Sequence, residues 1–341
     1  MRAARITRPG PPDEVIELTD VDRPVPGRGE VRLAVEACAL NHFDVFARRP
    51  EGDWTPDYPV ITGGDVAGRV EAVGPDATIE VGQRVVVYPE IGCDECEWCD
   101  RGEATMCPRA DAIGEGRPGG LAEAVVVPAK NCLPVPEGFP ATRAAAWPIA
   151  FTTAWRLVVS AGDLGPGERA LVLGASGGVG NAALQLADHV GATTFAATSS
   201  DEKARQLDPW ADHVIDYTEV DFAEAVRDHT DGRGVDLVVD HVGKETWQSS
   251  VDSLAPGGRM TICGATSGSD AEVDVRSVYQ SHRRIVGAPM GSKSDFRAVG
   301  RLVFEGAVEP LIHATLPLED VAEGHRLLEE RAVVGKVVVE P

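Results

Sequence analysis

The sequence predicts a two-domain α/β protein: a mainly β domain followed by a doubly wound parallel sheet. Three observations predict it. The chain runs to 341 residues, which is too long for one hydrophobic core. Its first third is a series of short β-branched runs broken by Gly and Pro. Its middle alternates strand-like and helix-like segments around the turn GASGGVG at 174–180, the rhythm of parallel βαβ units.

The β-like runs are VRLAVEACAL, DVAGRVEAVG, QRVVVYPE and LAEAVVVPA. Between the third and fourth lies CDECEWCDRGEATMC, from Cys93 to Cys107. Four of the seven cysteines sit there, spaced C-x2-C-x2-C-x7-C. The remaining Cys38, Cys132 and Cys263 are scattered, an odd count that argues against a disulfide framework. Four thiolates at this spacing can close a tetrahedral metal site, with Cys93, Cys96, Cys99 and Cys107 as ligands. Trp98, between them, is read as packing.

The middle segment reads strand (ALVL), glycine turn, then a helix carrying Ala182, Ala183, Leu186 and Val190 and stopped by Gly191. HVIDY is a strand, DFAEAVRDHT a helix, GVDLVVDHVG a strand, ETWQSSVDSLAPGG a helix and RMTICGA a strand. The chain closes with an amphipathic helix and the strand GKVVVE.

A glycine turn between a strand and a helix is a dinucleotide signal, because the helix N-terminus presents N–H donors and a positive dipole end to a pyrophosphate. Ser176, Gly177, Gly178 and Val179 form that turn, Ala175 stands where a first glycine is usual, and Gly180 permits close helix–sheet packing. The following strand ends in FAATSSDEK without the carboxylate that commonly meets an NAD ribose. Thr198, Ser199, Ser200 and Lys203 stand there instead, and hydroxyls with an ammonium suit a 2′-phosphate. NADPH is therefore favoured over NADH, with Asp201 the residue that argues the other way.

Together these motifs resemble the medium-chain dehydrogenase/reductase superfamily over nearly the whole chain. The resemblance rests on the N-terminal β runs, the cysteine lobe, GASGGVG, VVDHVG and the terminal HRLLEERAVVGKVVV. It implies a GroES-like mainly β domain (1–133 and 286–341, with a zinc lobe at 90–110) and a Rossmann domain with a doubly wound parallel sheet (134–285). The cysteine lobe is similar to the structural zinc lobe of the alcohol dehydrogenase branch, implying one structural zinc per chain. The family's catalytic zinc ligands fall on Asn41 in ALNHFD, Gly64 in GGDVAG, and Ile149 or Ala150 in WPIAFTTAW. Its proton-relay hydroxyl falls on Phe43. An amide, a glycine and an aliphatic residue make no zinc site. Cys38, His42 and Asp65 are neighbours that could hold an atypical metal only through a rearranged loop.

This pattern is similar to the quinone oxidoreductase branch, although many of its members lack the zinc lobe. The implied activity is hydride transfer from NADPH to a quinone or an activated carbon–carbon double bond (an enone) without a catalytic zinc. The alternatives are a zinc-dependent alcohol or polyol dehydrogenase with an atypical metal site, and a non-catalytic NADPH-binding protein. Asn41 is the expected catalytic residue, contacting substrate or the nicotinamide ribose. Tyr58 is a possible proton donor, with packing the plainer reading. The resemblance also places Thr153, Tyr217, Val242, Gly264 and Lys336 at the cofactor, with His241, Gly243 and Ala265 at the same strand ends. Met290 and Gly291 would line the cleft or a subunit contact, and loops such as ARRPEGDWTPDYP would wall the substrate pocket. A homodimer or homotetramer is expected.

The charge is extreme: 54 acidic residues against 32 basic ones, a formal net charge of -22. Nucleic-acid and anionic-membrane partners need the opposite sign. No run of about eighteen apolar residues and no signal-peptide core is present, so a cytoplasmic location and a small-molecule substrate are expected. Acidity spread along a chain with five lysines reads as adaptation to a high-salt cytoplasm, where counterions screen self-repulsion. The melting temperature should then rise by several degrees from low to molar salt; one indifferent to salt would overturn that reading.

Overall fold

A computed structural model describes residues 1–50 and 55–341. Residues 51–54 of the loop ARRPEGDWTPDYP lie outside the described residues, as does the side chain of Asp201. The chain divides into two compact units, one of 1–149, 296–304 and 310–341, the other of 150–295 and 305–309.

The first unit is built on a seven-stranded sheet in the order Ile312–Pro317, Lys336–Glu340, Glu30–Ala39, Asp65–Val73, Arg84–Val87 and Cys132–Pro134, with Ala124–Pro128 also paired to Glu30–Ala39. The strand Glu30–Ala39 alternates buried and half-buried residues and then becomes wholly buried at Ala37, Cys38 and Ala39. The alternation gives one face to a core of Val31, Leu33, Val70, Val85, Val125 and Val337. The buried end exists because the alanine helix Ala141–Ala145 packs on Ala37, Ala39, Ala67 and Val338, where small side chains allow close approach. That contact assigns 134–149 to the first unit, so the units part at 149/150 rather than at the expected 133/134. Residues 286–295, expected in the first unit, belong to the second.

Strand register then does the positioning. Ala39 faces Val338 on one side and Asp65 on the other, both antiparallel. Two places further along, Asn41 stands opposite Lys336, and Asp65 opens the third strand at the same sheet end.

The second unit holds a six-stranded, all-parallel sheet in the order His213–Asp216, Thr193–Thr198, Arg169–Val172, Val235–Asp240, Leu254–Ile262 and Arg284–Gly287. This is the doubly wound order 3-2-1-4-5-6, whose switch point lies between Arg169–Val172 and Val235–Asp240. Leu171, Leu173, Phe195, Val238, Val251 and Met260 fill its core. Two elements differ from expectation. The helix expected over 245–258 ends at Ser253, and Leu254 already begins the strand. Ile312–Pro317 is a strand that no sequence run announces; it pairs in parallel with Lys336–Glu340.

Beside the first sheet, Arg48 is wholly buried. It donates to His325 Nδ1 (3.2 Å), to the Gly10 carbonyl (3.1 Å) and to Glu329. Burial, and secondarily the Arg48 charge, hold His325 down to about 3. A histidine depressed in the fold and ordinary when unfolded contributes stability that is present above about pH 6.5 and lost as pH falls toward 3. His325→Asn keeps an acceptor near Nδ1 and cannot be protonated. Its unfolding free energy should fall less steeply than the parent's between pH 6.5 and 4, by up to about 1.4 kcal/mol per pH unit; denaturant melts across that range measure it, and parallel slopes would overturn the assignment.

Candidate active site

Asp65 is the centre of the first unit's polar cluster and has no exposed surface. Its Oδ1 accepts the backbone N–H of Ile149 (2.7 Å). Its Oδ2 accepts from Asn41 Nδ2 (2.9 Å) and from the Lys336 ammonium (3.0 Å). Lys336, 4% exposed, also donates to Asn41 Oδ1. Asn41 therefore bridges both members of a buried ion pair. Its remaining Nδ2 hydrogen has only the Ala39 carbonyl at 3.5 Å, and the residue stays partly exposed.

Asp44 fixes where Asn41 stands. Its buried carboxylate accepts the backbone N–H of Asn41 (2.7 Å) and of Gly63 (2.8 Å), tying together the two turns that flank the cluster. Burial pushes Asp44 above the usual carboxylate range despite these donors. Cys38 is also buried, which pushes its thiol well up. A side chain at Gly64 would meet the Ile113 carbonyl and Ile149 Cδ1, each 3.0 Å from its Cβ. The Tyr58 hydroxyl donates to the Ala47 carbonyl (2.8 Å).

In the second unit the glycine turn takes its left-handed residue at Gly174 (φ 54°), not at the Ala175 position. Gly177 caps the helix Gly178–His189, and Gly177, Gly178 and Val179 are half-buried while Ser176 is buried. First-turn amides of a helix have no partner within it, so they are free for an anion. A Cβ on Gly177 would meet only the Gly174 carbonyl, at 3.4 Å, leaving approach to the turn open. Gly180 has no such room: its Cβ would lie 2.2 Å from the Gly174 oxygen.

At the end of Thr193–Thr198, the Thr198 hydroxyl is buried without a partner. Lys203 Nζ lies 3.3 Å from Ser199 Oγ, and Ser200 Oγ caps the next helix by accepting from Lys203 N. Tyr217 is 41% exposed, and its backbone N–H meets the Thr198 carbonyl. Val242 and Gly264 lie half-buried at the ends of neighbouring strands. Thr153 is buried and donates to Met290 Sδ (3.3 Å).

The sulfurs of Cys93, Cys96, Cys99 and Cys107 all lie within 4.8 Å of one another, with Cys93 and Cys99 3.9 Å apart. Thiolates about 2.3 Å from a tetrahedral zinc would be separated by about 3.8 Å. The Glu95 backbone N–H and the neighbouring thiols hold Cys93 down to about 6, toward the thiolate a metal needs. A side chain on Gly92 would come within 2.6 Å of Cys99 Sγ, so the glycine makes room for that ligand. Arg101 lies over the Trp98 ring, 5.3 Å from its centre.

Residues 27–137 match the alcohol dehydrogenase GroES-like domain, and residues 178–305 match the zinc-binding dehydrogenase family. An acryloyl-coenzyme A reductase of Sulfurisphaera tokodaii is 34% identical over 339 residues, 98% of this chain and 99% of that protein. The chain belongs to the medium-chain dehydrogenase/reductase superfamily.

Among solved members of the superfamily, an NAD-dependent alcohol dehydrogenase superposes with a TM-score of 0.96 at 41% identity, covering 100% of both chains. A crotonyl-CoA carboxylase/reductase in complex with NADP gives 0.93 at 25% identity, covering 100% of this chain and 94% of that one. This medium-chain reductase is accordingly an oxidoreductase that binds NAD(P), and among its described residues no helix is long and apolar enough to cross a membrane.

The two metals the superfamily implies fare differently against these residues. The cysteine lobe fits a four-thiolate zinc. The residues on which the catalytic zinc ligands would fall do not fit: Asn41 offers an amide already engaged by Lys336 and Asp65, and Gly64 offers no ligand atom. Among the described residues, Cys38, His42 and Asp65 do not gather into a metal-binding group. The dinucleotide fits, on the open glycine turn and the unpartnered Thr198 hydroxyl.

Two positioning residues escaped the sequence reading. Asp44 could have been found from N-x-x-D, the spacing at which a third helical residue reaches back to the N-cap amide. Asp240 accepts from Val242 N, Gly243 N, Thr246 Oγ1 and Ser250 Oγ, and had no comparable signal. If the lobe holds zinc, Cys99→Ser should bring metal content by atomic emission from about one equivalent per chain to near zero and lower the melting temperature by several degrees; unchanged content would overturn the ligand set.

Proposed function

We propose that this chain is an NADPH-dependent reductase that delivers hydride to an activated carbon–carbon double bond, such as an enone or enoyl thioester, or to a quinone, without a catalytic zinc. The observation that carries this is the buried Asn41–Asp65–Lys336 cluster, built around Asn41, on which the resemblance puts the catalytic zinc cysteine. A saturated alcohol or simple carbonyl needs its oxygen strongly polarised, by a Lewis acid or by a positioned proton donor. A conjugated acceptor spreads the charge itself, so positioning and a hydrogen-bond donor suffice.

Bound NADPH supplies the hydride. Asn41, held by Asp44 and Lys336, turns its weakly engaged Nδ2–H to the acceptor oxygen as negative charge develops there. The enolate so formed takes a proton from water at its α-carbon, completing a two-electron reduction. Lys336 keeps the Asn41 amide oriented by occupying its oxygen. NADPH is preferred over NADH because Ser199 and Lys203 present a hydroxyl and an ammonium, with no carboxylate on the strand end. The reductases of acryloyl- and crotonyl-coenzyme A among the relatives support an α,β-unsaturated substrate.

A single structural zinc in the lobe and adaptation to high salt belong to the same reading. So does a homodimer or homotetramer, supported by the edge strand Arg284–Gly287 with Ile285 exposed on it and with Val275 and Tyr279 exposed on the helix before it. The similarity to an NAD-dependent alcohol dehydrogenase favours a second reading, alcohol oxidation with an atypical metal.

Turnover separates the two. The purified chain should consume NADPH with conjugated enones, quinones or short enoyl thioesters and leave simple alcohols untouched, at one zinc per chain. Asn41→Ala should lower kcat/KM roughly tenfold or more while NADPH affinity holds within about twofold. Alcohol oxidation at two metals per chain would overturn the proposal.

A further inference from the structure

The imidazole of His241 is held at the switch point of the parallel sheet. His241 follows the strand Val235–Asp240, and Gly174 follows the neighbouring strand Arg169–Val172. These are the strands between which the order reverses, where such sheets bind their ligands. The ring lies against the glycine turn: a Cβ on Gly174 would come 2.8 Å from His241 Cε1 and 3.1 Å from Nε2.

The turn that carries His241 is rigid. Asp240 gathers two backbone N–H groups and two hydroxyls, and Ser267 donates from both its amide and its hydroxyl to the Val242 carbonyl. Gly243 (φ 92°) is packed so closely on 265–268 that its Cβ would lie 2.8 Å from the Gly268 oxygen.

The ring's own hydrogen bonding is one-sided. The backbone carbonyls of Leu173 and of His241 itself favour a proton on the ring, and with Nε2 unpartnered that proton falls to Nδ1. Nε2 is buried with no partner at all. Burial lowers the ring below the ordinary imidazole range, which keeps it neutral near pH 7 and leaves Nε2 a lone pair. An acceptor cannot serve a pyrophosphate oxygen, which is itself an acceptor. Its partner must be a donor, such as a hydroxyl.

Sheet order says which hydroxyl. Ser199 and Lys203 stand at the end of Thr193–Thr198, on one side of Arg169–Val172. His241 stands on the other side. A dinucleotide with its 2′-phosphate on Lys203 and its pyrophosphate at the Gly178 helix end would lay its nicotinamide half toward His241.

We propose that His241 is a cofactor-binding residue whose Nε2 accepts a hydrogen bond from a ribose hydroxyl on the nicotinamide half of NADPH. The inference rests on the dinucleotide reading of the glycine turn. The test is direct binding, followed by fluorescence and calorimetry, of NADPH and of 2′,5′-ADP, which lacks the nicotinamide half. His241→Phe keeps the ring volume without nitrogens, and His241→Gln sets an amide oxygen within reach of Nε2.

The phenylalanine variant should bind NADPH about tenfold more weakly and 2′,5′-ADP within about twofold of the parent, with the glutamine variant recovering most of the NADPH loss. Equal NADPH affinity in parent and phenylalanine variant would overturn the proposal. So would equal weakening toward both ligands, the mark of a merely disturbed turn. If His241→Phe does not fold, His241→Asn, which retains a donor toward Leu173 but falls short of Nε2, takes its place with the same expectations. A parent that binds neither ligand would overturn the dinucleotide reading itself, and this inference with it.

Discussion

One carboxylate organises the candidate active site. Asp65 accepts a backbone amide, a side-chain amide and an ammonium while wholly buried. Isolated, such a charge would be expensive to remove from water, and losing one partner of a buried pair typically costs 3–5 kcal/mol. The arrangement therefore constrains everything around it. The strands Lys336–Glu340, Glu30–Ala39 and Asp65–Val73 must keep a register that brings their ends together, and the Ile149 amide must close the last acceptor. The small residues beneath, Ala37, Ala39 and Ala67, let the alanine helix approach closely enough to shut out water.

The two units present complementary chemistries. In the first, the Asn41–Asp65–Lys336 cluster satisfies its polar atoms with one another, leaving only one Asn41 amide hydrogen weakly engaged. In the second, buried polar atoms are left open at Thr198 and His241. Buried polar atoms without partners are uncommon in folded proteins, and these two lie at the C-terminal ends of parallel strands, where such sheets bind their ligands. The cysteine lobe is a third case. Its four thiols lie within 4.8 Å of one another; four thiolates around a zinc would leave no position for substrate and would brace the loop without taking part in catalysis.

Much of this was legible in the sequence because it is local. The glycine turn, the cysteine spacing and the strand–helix rhythm each depend on residues a few places apart, and each is where the sequence put it. Asn41 was singled out by what it replaces. Lys336 was expected at the cofactor; the structure engages its ammonium with Asp65, 271 positions away, and no local pattern reports such a pairing. The strand Ile312–Pro317 was missed for the same reason, since its identity comes from a parallel partner rather than from its own alternation. Asp240 looks like any strand-end carboxylate until four donors converge on it.

The ion pair at Asp65 competes with any metal that would bind there. Asp65 already has its counter-charge in Lys336, and Asn41 engages both, so a cation at this place would meet an ammonium before it met a carboxylate. The cluster is thus electrically self-sufficient: its charge is balanced within the chain, and a metal would have to displace an ion pair before it could bind.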